Sequence, residues 1–172
     1  MGVKNNKVTN ANVYLNGKSF LGRAASISLP LIKSIDSDHD ALGMFAKAEY
    51  AAGLDKMEVD IKWNSFYNEV LEQTSDIYTS VPLQVRTHIE TYEGGSRVEE
   101  TPVVIYLNIR PKEIPLGSFE QQTNVDLTGK FACTYVKIEI NGVNKLEVDA
   151  EANIYKVNGA DRLAAYRASL GI

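Results

Sequence analysis

The residues best equipped for chemistry in this chain are two histidines, one cysteine and a short acidic run, and their spacing limits what they can do. His39 and His88 are far apart, neither falls in an H-E-x-x-H pattern, and His88 sits on the polar parity of an alternating run, so the spacing builds no metal centre. Cys133 shares the inward parity of Phe131 and Tyr135, the place of a buried structural thiol; a nucleophile needs an electropositive neighbourhood. Asp36-Ser37-Asp38-His39-Asp40 sets carboxylates at alternate positions but lacks the central glycine and the bidentate glutamate of a calcium loop. Glu99-Glu100 beside a Gly-Gly tip reads as a solvated edge. Neither a G-x-x-x-x-G-K-[ST] phosphate loop nor a G-x-S-x-G elbow occurs, and the pattern supports neither catalysis nor a cofactor.

The elements that would carry these residues are mostly strands. Asn16-Gly17, Gly94-Gly95 and Asn141-Gly142 each stand between alternating runs, the sequence signal of a tight hairpin. From Leu21 onward, Leu21, Ala25, Ile27, Leu29 and Leu31 share one parity and Ser26 and Ser28 the other, which predicts a strand with one buried face. Met57, Val59, Ile61 and Trp63 alternate with Glu58, Asp60 and Lys62 in a clearer strand. A short helix over 66–73 follows, with Asn64 or Ser65 as its cap and Phe66, Val70 and Tyr67 facing inward. Val81–Ile89 and Val103–Ile109 form a hairpin around Gly94-Gly95. A long strand from about Asn124 to Ile140 changes parity near Tyr135, where a bulge or a change of sheet is expected. Leu146, Val148, Ala150, Ala152 and Ile154 read as the next strand, and Asn158-Gly159 precedes a helix over 160–170 stopped at Gly171.

Residues 33–53 lose the period and read as a projecting loop. Leu42, Met44, Phe45 and Tyr50 give it much apolar surface, which either folds back on its own core or docks on another subunit. The pattern as a whole predicts one mainly β domain over 1–172, an antiparallel β-sandwich or partial barrel with a short internal helix and a C-terminal helix.

Composition narrows the class further. Apolar residues make up 44% and charged residues 23% of the 172 positions, which are globular proportions. A net charge of −4 argues against a protein that grips nucleic acid through neutralised phosphates. The polar start MGVKNNKVTNANV lacks a signal-peptide core, Asn6 breaks the myristoylation pattern, and no apolar run approaches the roughly 20 residues of a membrane span. One cysteine excludes an internal disulfide and fits folding in a reducing cytoplasm.

Several segments then point to one family. NVYLNGKSFLGRAASISLPLI, IRPKEIPLGSFEQQ with Lys112-Glu113, FACTYVKIEINGV and LEVDAEANIYKVNGADRLAAYRASLGI stand in order along nearly the whole chain. The last is the closest match, at Val157, Asn158, Gly159, Asp161, Leu163, Arg167, Leu170 and Gly171. Together they resemble the major tail tube proteins of contractile, P2-like phages and their R-type pyocin relatives; residues 35–53 diverge most, with Gly43-Met44 as an echo.

The resemblance implies homohexameric rings stacked into a hollow tube inside a sheath, with an inner wall that is a continuous β-barrel. It also implies a tape-measure protein inside during assembly, baseplate and tail-terminator proteins at the ends, and DNA only in transit. The place of work would be the virion tail, assembled in the bacterial host cytoplasm, with no membrane anchoring. On that reading the lumen candidates are Ser26, Ser28, Glu58, Asp60, Lys62, Arg110, Lys112, Asp126 and Lys130. Their charges nearly cancel, where the resemblance implies an acidic wall; either some bases point elsewhere or Glu113 contributes. Leu42, Met44, Phe45 and Tyr50 are candidates for contacts between rings, and Arg162 and Arg167 for contacts with the sheath. Phage tail and pyocin-like particle stay open. From other classes, a carbohydrate-binding β-sandwich requires an exposed aromatic platform, whereas Trp63 lies on an apolar parity; a barrel enzyme or ligand carrier requires a convergent polar site.

Overall fold

The computed structural model describes residues 2–172. In chain order the elements are β1 (Lys4–Lys7), β2 (Ala11–Leu15), β3 (Lys18–Ser19), β4 (Ala24–Ser28), β5 (Ser34–His39), β6 (Ala48–Leu54) and β7 (Met57–Trp63). Then come α1 (Asn68–Thr74), β8 (Val81–Glu93), β9 (Ser96–Pro111), β10 (Leu127–Ile140), β11 (Val143–Asp149), β12 (Ile154–Val157), β13 (Ala160–Asp161) and α2 (Ala164–Leu170). Eleven strands form one antiparallel sheet in the order β13-β12-β11-β10-β9-β8-β2-β3, with β1 beside β8 and the pair β7-β4 branching from β10. The hairpin β5–β6 is a separate two-stranded sheet.

The branch point explains how one sheet encloses a core. Along one edge β10 pairs with β9 from Phe131 to Ile140; along the other it pairs with β7 at Leu127–Cys133 and with β11 at Tyr135–Ile140. A register shift between Cys133 and Tyr135 moves the inward parity from Phe131 and Cys133 to Val136, as the parity change in the sequence requires. The two branches therefore curl around one apolar cluster drawn from β2, β7, β8, β9, β10 and β11, with Phe20 and Val70 from outside the strands. Trp63 of β7 meets Phe20, just beyond β3, edge to face at 5.5 Å between ring centres. The turns sit where tight hairpin chemistry puts them: Asn16 and Gly17, and Asn141 and Gly142, all have positive φ.

Several expected boundaries shift. Over 21–31 the inward residues are Ala24 and Ile27, because a bulge between Ala24 and Ser26 breaks the parity; Leu21, Leu29 and Leu31 are exposed. Residues 33–53 are a hairpin instead of an irregular loop, and they showed no period because both faces of β5 and β6 are solvated. Helix α1 starts at Asn68 with no side-chain cap, Phe66 is part-exposed, and Val70 and Tyr67 do turn inward. Strand β10 begins at Leu127, while Asn124 ties the preceding loop to the Asn64 carbonyl. The run through Ala150 and Ala152 is a turn, held by Asp149 Oδ1 accepting from the Glu151 and Ala152 amides, so β11 and β12 pair with each other. The C-terminal helix starts at Ala164, since Ala160 and Asp161 first pair back onto β12.

Gly117 gives a local test of the 112–126 segment. It has φ +79°, and a Cβ there would lie 2.7 Å from Val125 Cγ1 and 2.9 Å from Leu127 Cδ2. Gly117→Ala is expected to destabilise by about 1–3 kcal/mol through left-handed strain and overpacking. Urea unfolding measures this; an unchanged midpoint would show that the segment does not pack as described.

Candidate functional site

Register decides which polar residues share a face. Ser26 and Ser28 of β4 lie opposite Lys62 and Asp60 of β7, and Asp60 lies opposite Lys130 of β10. Glu58 pairs across to Ala132, and Ala132 to Arg110 of β9. Asp126 and Lys112 flank the strands and join by ion pairs: Asp126 is 2.7 Å from Lys62 Nζ, and Lys112 bonds Glu58. The nine residues nominated as lumen-facing thus come together on the outer face of the β4-β7-β10-β9 branch. Thr128 and Ala132, also on it, carry no charge to announce them and are found only from register.

The electrostatics of this face are balanced pair by pair. Lys112, then Lys56 at 3.2 Å, holds the Glu58 carboxyl below its ordinary range. Glu113 does contribute, 3.9 Å from Lys130, and Arg110 is anchored at the rim by donating to the Ile77 carbonyl. Among the described residues Asp60 is the carboxylate of this group without a cation within 4.0 Å. The chain alone presents no acidic surplus there.

A second feature is the β5–β6 hairpin. Asp55 N donates to the Lys33 carbonyl at its base, Lys47 pairs with Asp40 near its tip, and the His39 ring covers part of Tyr50. Leu42 and Phe45 are fully exposed at the tip, and Met44 is 43% exposed.

The C-terminal candidates separate. Arg162 is exposed and, among the described residues, unpaired; Arg167 is turned inward, donating to Asp161 Oδ2 at 2.6 Å and to the Asn153 carbonyl at 2.8 Å. An outward Arg167 was expected, and the acid at the end of β13 claims it instead. Tyr166 and Leu170 are half exposed, so these apolar side chains of α2 face away from the core. Arg167, then the Leu163 amide, keeps the Asp161 carboxyl below its usual range. A depressed folded value stabilises above the unfolded pKa of about 3.9 and loses that contribution as pH falls through the folded value. Protection of the 164–170 amides, measured against the intrinsic exchange rate at each pH, is expected to fall below about pH 4, and Asp161→Asn should remove that fall; protection that stays constant through this range in the native chain would refute the clasp.

The other reactive side chains have structural partners. Glu90, 8% exposed, accepts from the Tyr92 hydroxyl at 2.7 Å, with His88 at 3.1 Å and Arg97 at 3.5 Å, and locks the distal β8–β9 hairpin. Glu100 pairs with Arg97 at 2.7 Å. Burial pushes the Cys133 thiol up to about 11, far from a reactive thiolate. Among the described residues no cluster of three or more His, Cys, Asp or Glu is placed to hold a metal.

A sheet curled around one core, with a long charge-matched polar face, an edge strand paired on one side and a projecting hairpin, fits the tail tube class of structural domains. The chain is a member of the family described as phage tail tube protein FII, whose model matches residues 5–171. The tail tube protein of Escherichia phage P2 is 28% identical over 165 residues, covering 94% of each chain. Two solved structures of an extracellular contractile injection system share the fold at 11% identity. The sheath–tube complex in the extended state gives a TM-score of 0.57 over 75% of this chain and 87% of the other. The sheath/tube terminator gives 0.56 over 75% and 92%.

Proposed function

We propose that this chain is the repeating structural subunit of a contractile phage tail tube, forming hexameric rings that stack into a conduit for DNA ejection. Membership of the tail tube family over nearly the full length carries the reading. The free edge of β4, which among the described residues pairs only with β7, supports it: it extends the sheet into the next subunit, and closing a sheet around a ring removes its exposed edges. The β4-β7-β10-β9 face then lines the lumen. A wall in which lysines are matched by carboxylates lets a polyanion pass without holding it.

The reading makes the protein a scaffold and not an enzyme. Its partners are further copies of itself, the sheath protein, the terminator, and tape-measure and baseplate proteins, with Arg162 and the outer face of α2 toward the sheath. Among the described residues no helix is long and apolar enough to cross a membrane. The work is done in the virion tail, after assembly in the bacterial cytoplasm. The fold shared with an extracellular contractile injection system supports a second reading, the tube of a pyocin-like or other injection particle. A carbohydrate module loses its platform, since Trp63 is 3% exposed. Negative-stain microscopy of the purified protein, with and without its sheath, is expected to show rings or tubes; a subunit that stays monomeric in the mature particle overturns the proposal.

A further inference from the structure

On the outer face of the β2-β8-β9-β10 branch, turned away from the core, lies a tyrosine-walled groove of about 370 Å³. Tyr14, Pro82, Tyr106 and Tyr135 give it apolar walls, and Gln84 and Asn108 supply amides between them. Register builds it: Tyr14 stands opposite Gln84, Gln84 opposite Tyr106, and Tyr135 opposite Asn108. The rim is cationic. Arg86 lies over the Tyr14 ring at 5.2 Å and Lys18 follows Gly17; among the described residues neither has a carboxylate within 4.0 Å. Lys137 lies over Tyr106 at 4.7 Å but is matched by Glu139 at 2.8 Å.

The β5–β6 hairpin has the opposite properties. Its tip presents Leu42 and Phe45 with no covering atoms, and behind them Asp36 and Asp38 are exposed carboxylates without a cation partner among the described residues. We propose that the tyrosine groove is the acceptor for the β5–β6 tip of a second copy, with Phe45 and Leu42 inserted between Tyr14 and Tyr106 and Asp38 meeting Arg86. A protruding knob on one surface and a hole on another make a head-to-tail contact, which propagates from copy to copy instead of closing a dimer. Burying the two exposed side chains supplies affinity, and the unmatched charges set orientation.

This inference rests on the tube reading and names the surface that receives the hairpin. The test uses the full chain with four variants: Leu42→Ser with Phe45→Ser, Asp38→Arg, Arg86→Asp, and the exchange of Asp38→Arg with Arg86→Asp. Sedimentation velocity gives the concentration needed for assembly, microscopy gives tube length, and thermal melting checks the fold of these exposed positions. The tip variant is expected to stop tube growth. Each single charge reversal should raise the assembly concentration at least about tenfold, and the exchange should restore it. If the tip variant stops growth but Arg86→Asp assembles like the parent, the acceptor lies elsewhere and the inference falls while the tube reading stands. An exchange that melts normally yet does not recover also overturns it. A tip variant that grows normal tubes removes the docking hairpin, and a parent chain that never assembles removes the tube reading itself.

Discussion

Trp63→Ala is expected to cost about 3–5 kcal/mol, the range for emptying a buried large aromatic site. Trp63 ends β7, pairs across to Ala24 on one side and Leu127 on the other, and packs its ring against Phe20. It also closes a small internal space of about 20 Å³ beside Tyr67, Val70 and Phe131. Three separate elements, the turn after β3, helix α1 and the start of β10, therefore rest on one side chain. Neighbours held by strand pairing on both sides cannot collapse into the hole, so the cavity persists. A domain of this size has about 5–15 kcal/mol in hand, so the variant should be partly unfolded at 37 °C. Far-UV circular dichroism in urea is the measurement, because the change removes the sole tryptophan as a fluorophore. It is best made on unassembled protein, since assembly stabilises the folded state by mass action. A loss below about 1 kcal/mol would show that the ring is not packed as described.

The second large effect falls on function and leaves folding nearly intact. Changing Glu58 and Asp60 together to Lys moves the chain's net charge from −4 to zero and repeats that change in every subunit of a ring. Glu58 now separates Lys56 from Lys112, and Asp60 stands opposite Lys130 and Ser28. Both side chains lie on the solvated face, where ion pairs contribute little to stability, so the melting temperature should move little. A lumen lined with unmatched lysines, in contrast, would hold the phosphate backbone, with a strength that falls steeply as salt rises. Particles carrying the double variant should assemble, package and then eject DNA poorly, with partial recovery at high salt. Normal ejection at low salt would remove this face from the lumen.

The parts legible in the sequence are those where one face is buried and the other wet. Strands β7, β8, β9 and β10 could be read because Val59, Leu83, Leu107 and Phe131 must alternate with solvated neighbours. Where burial imposes no alternation the reading failed. Strands β5 and β6 have no buried face, so nothing in their residues marks them as strands. The bulge in β4 put Ala24 and Ile27 on one side despite their opposite parity. Ala150 and Ala152 continued an apolar rhythm, yet the Asp149 side chain bends the chain there.

The candidate site divides in the same way. Its polar residues were named from parity together with the family resemblance, but Lys112 on Glu58, Asp126 on Lys62 and Asp161 on Arg167 were not visible, because each joins different elements of the chain. The tyrosine groove was invisible for the same reason: Tyr14, Tyr106 and Tyr135 come from three strands and meet only through register. The sequence by itself determined the Asn-Gly turns and the inward parity of the long strands, since backbone dihedrals at Asn-Gly pairs and burial of alternate side chains are local properties. Which strands lie side by side, and so which charges are matched and which surfaces are left to bind, the tertiary structure alone decided, because strand pairing sums contacts between residues tens of positions apart.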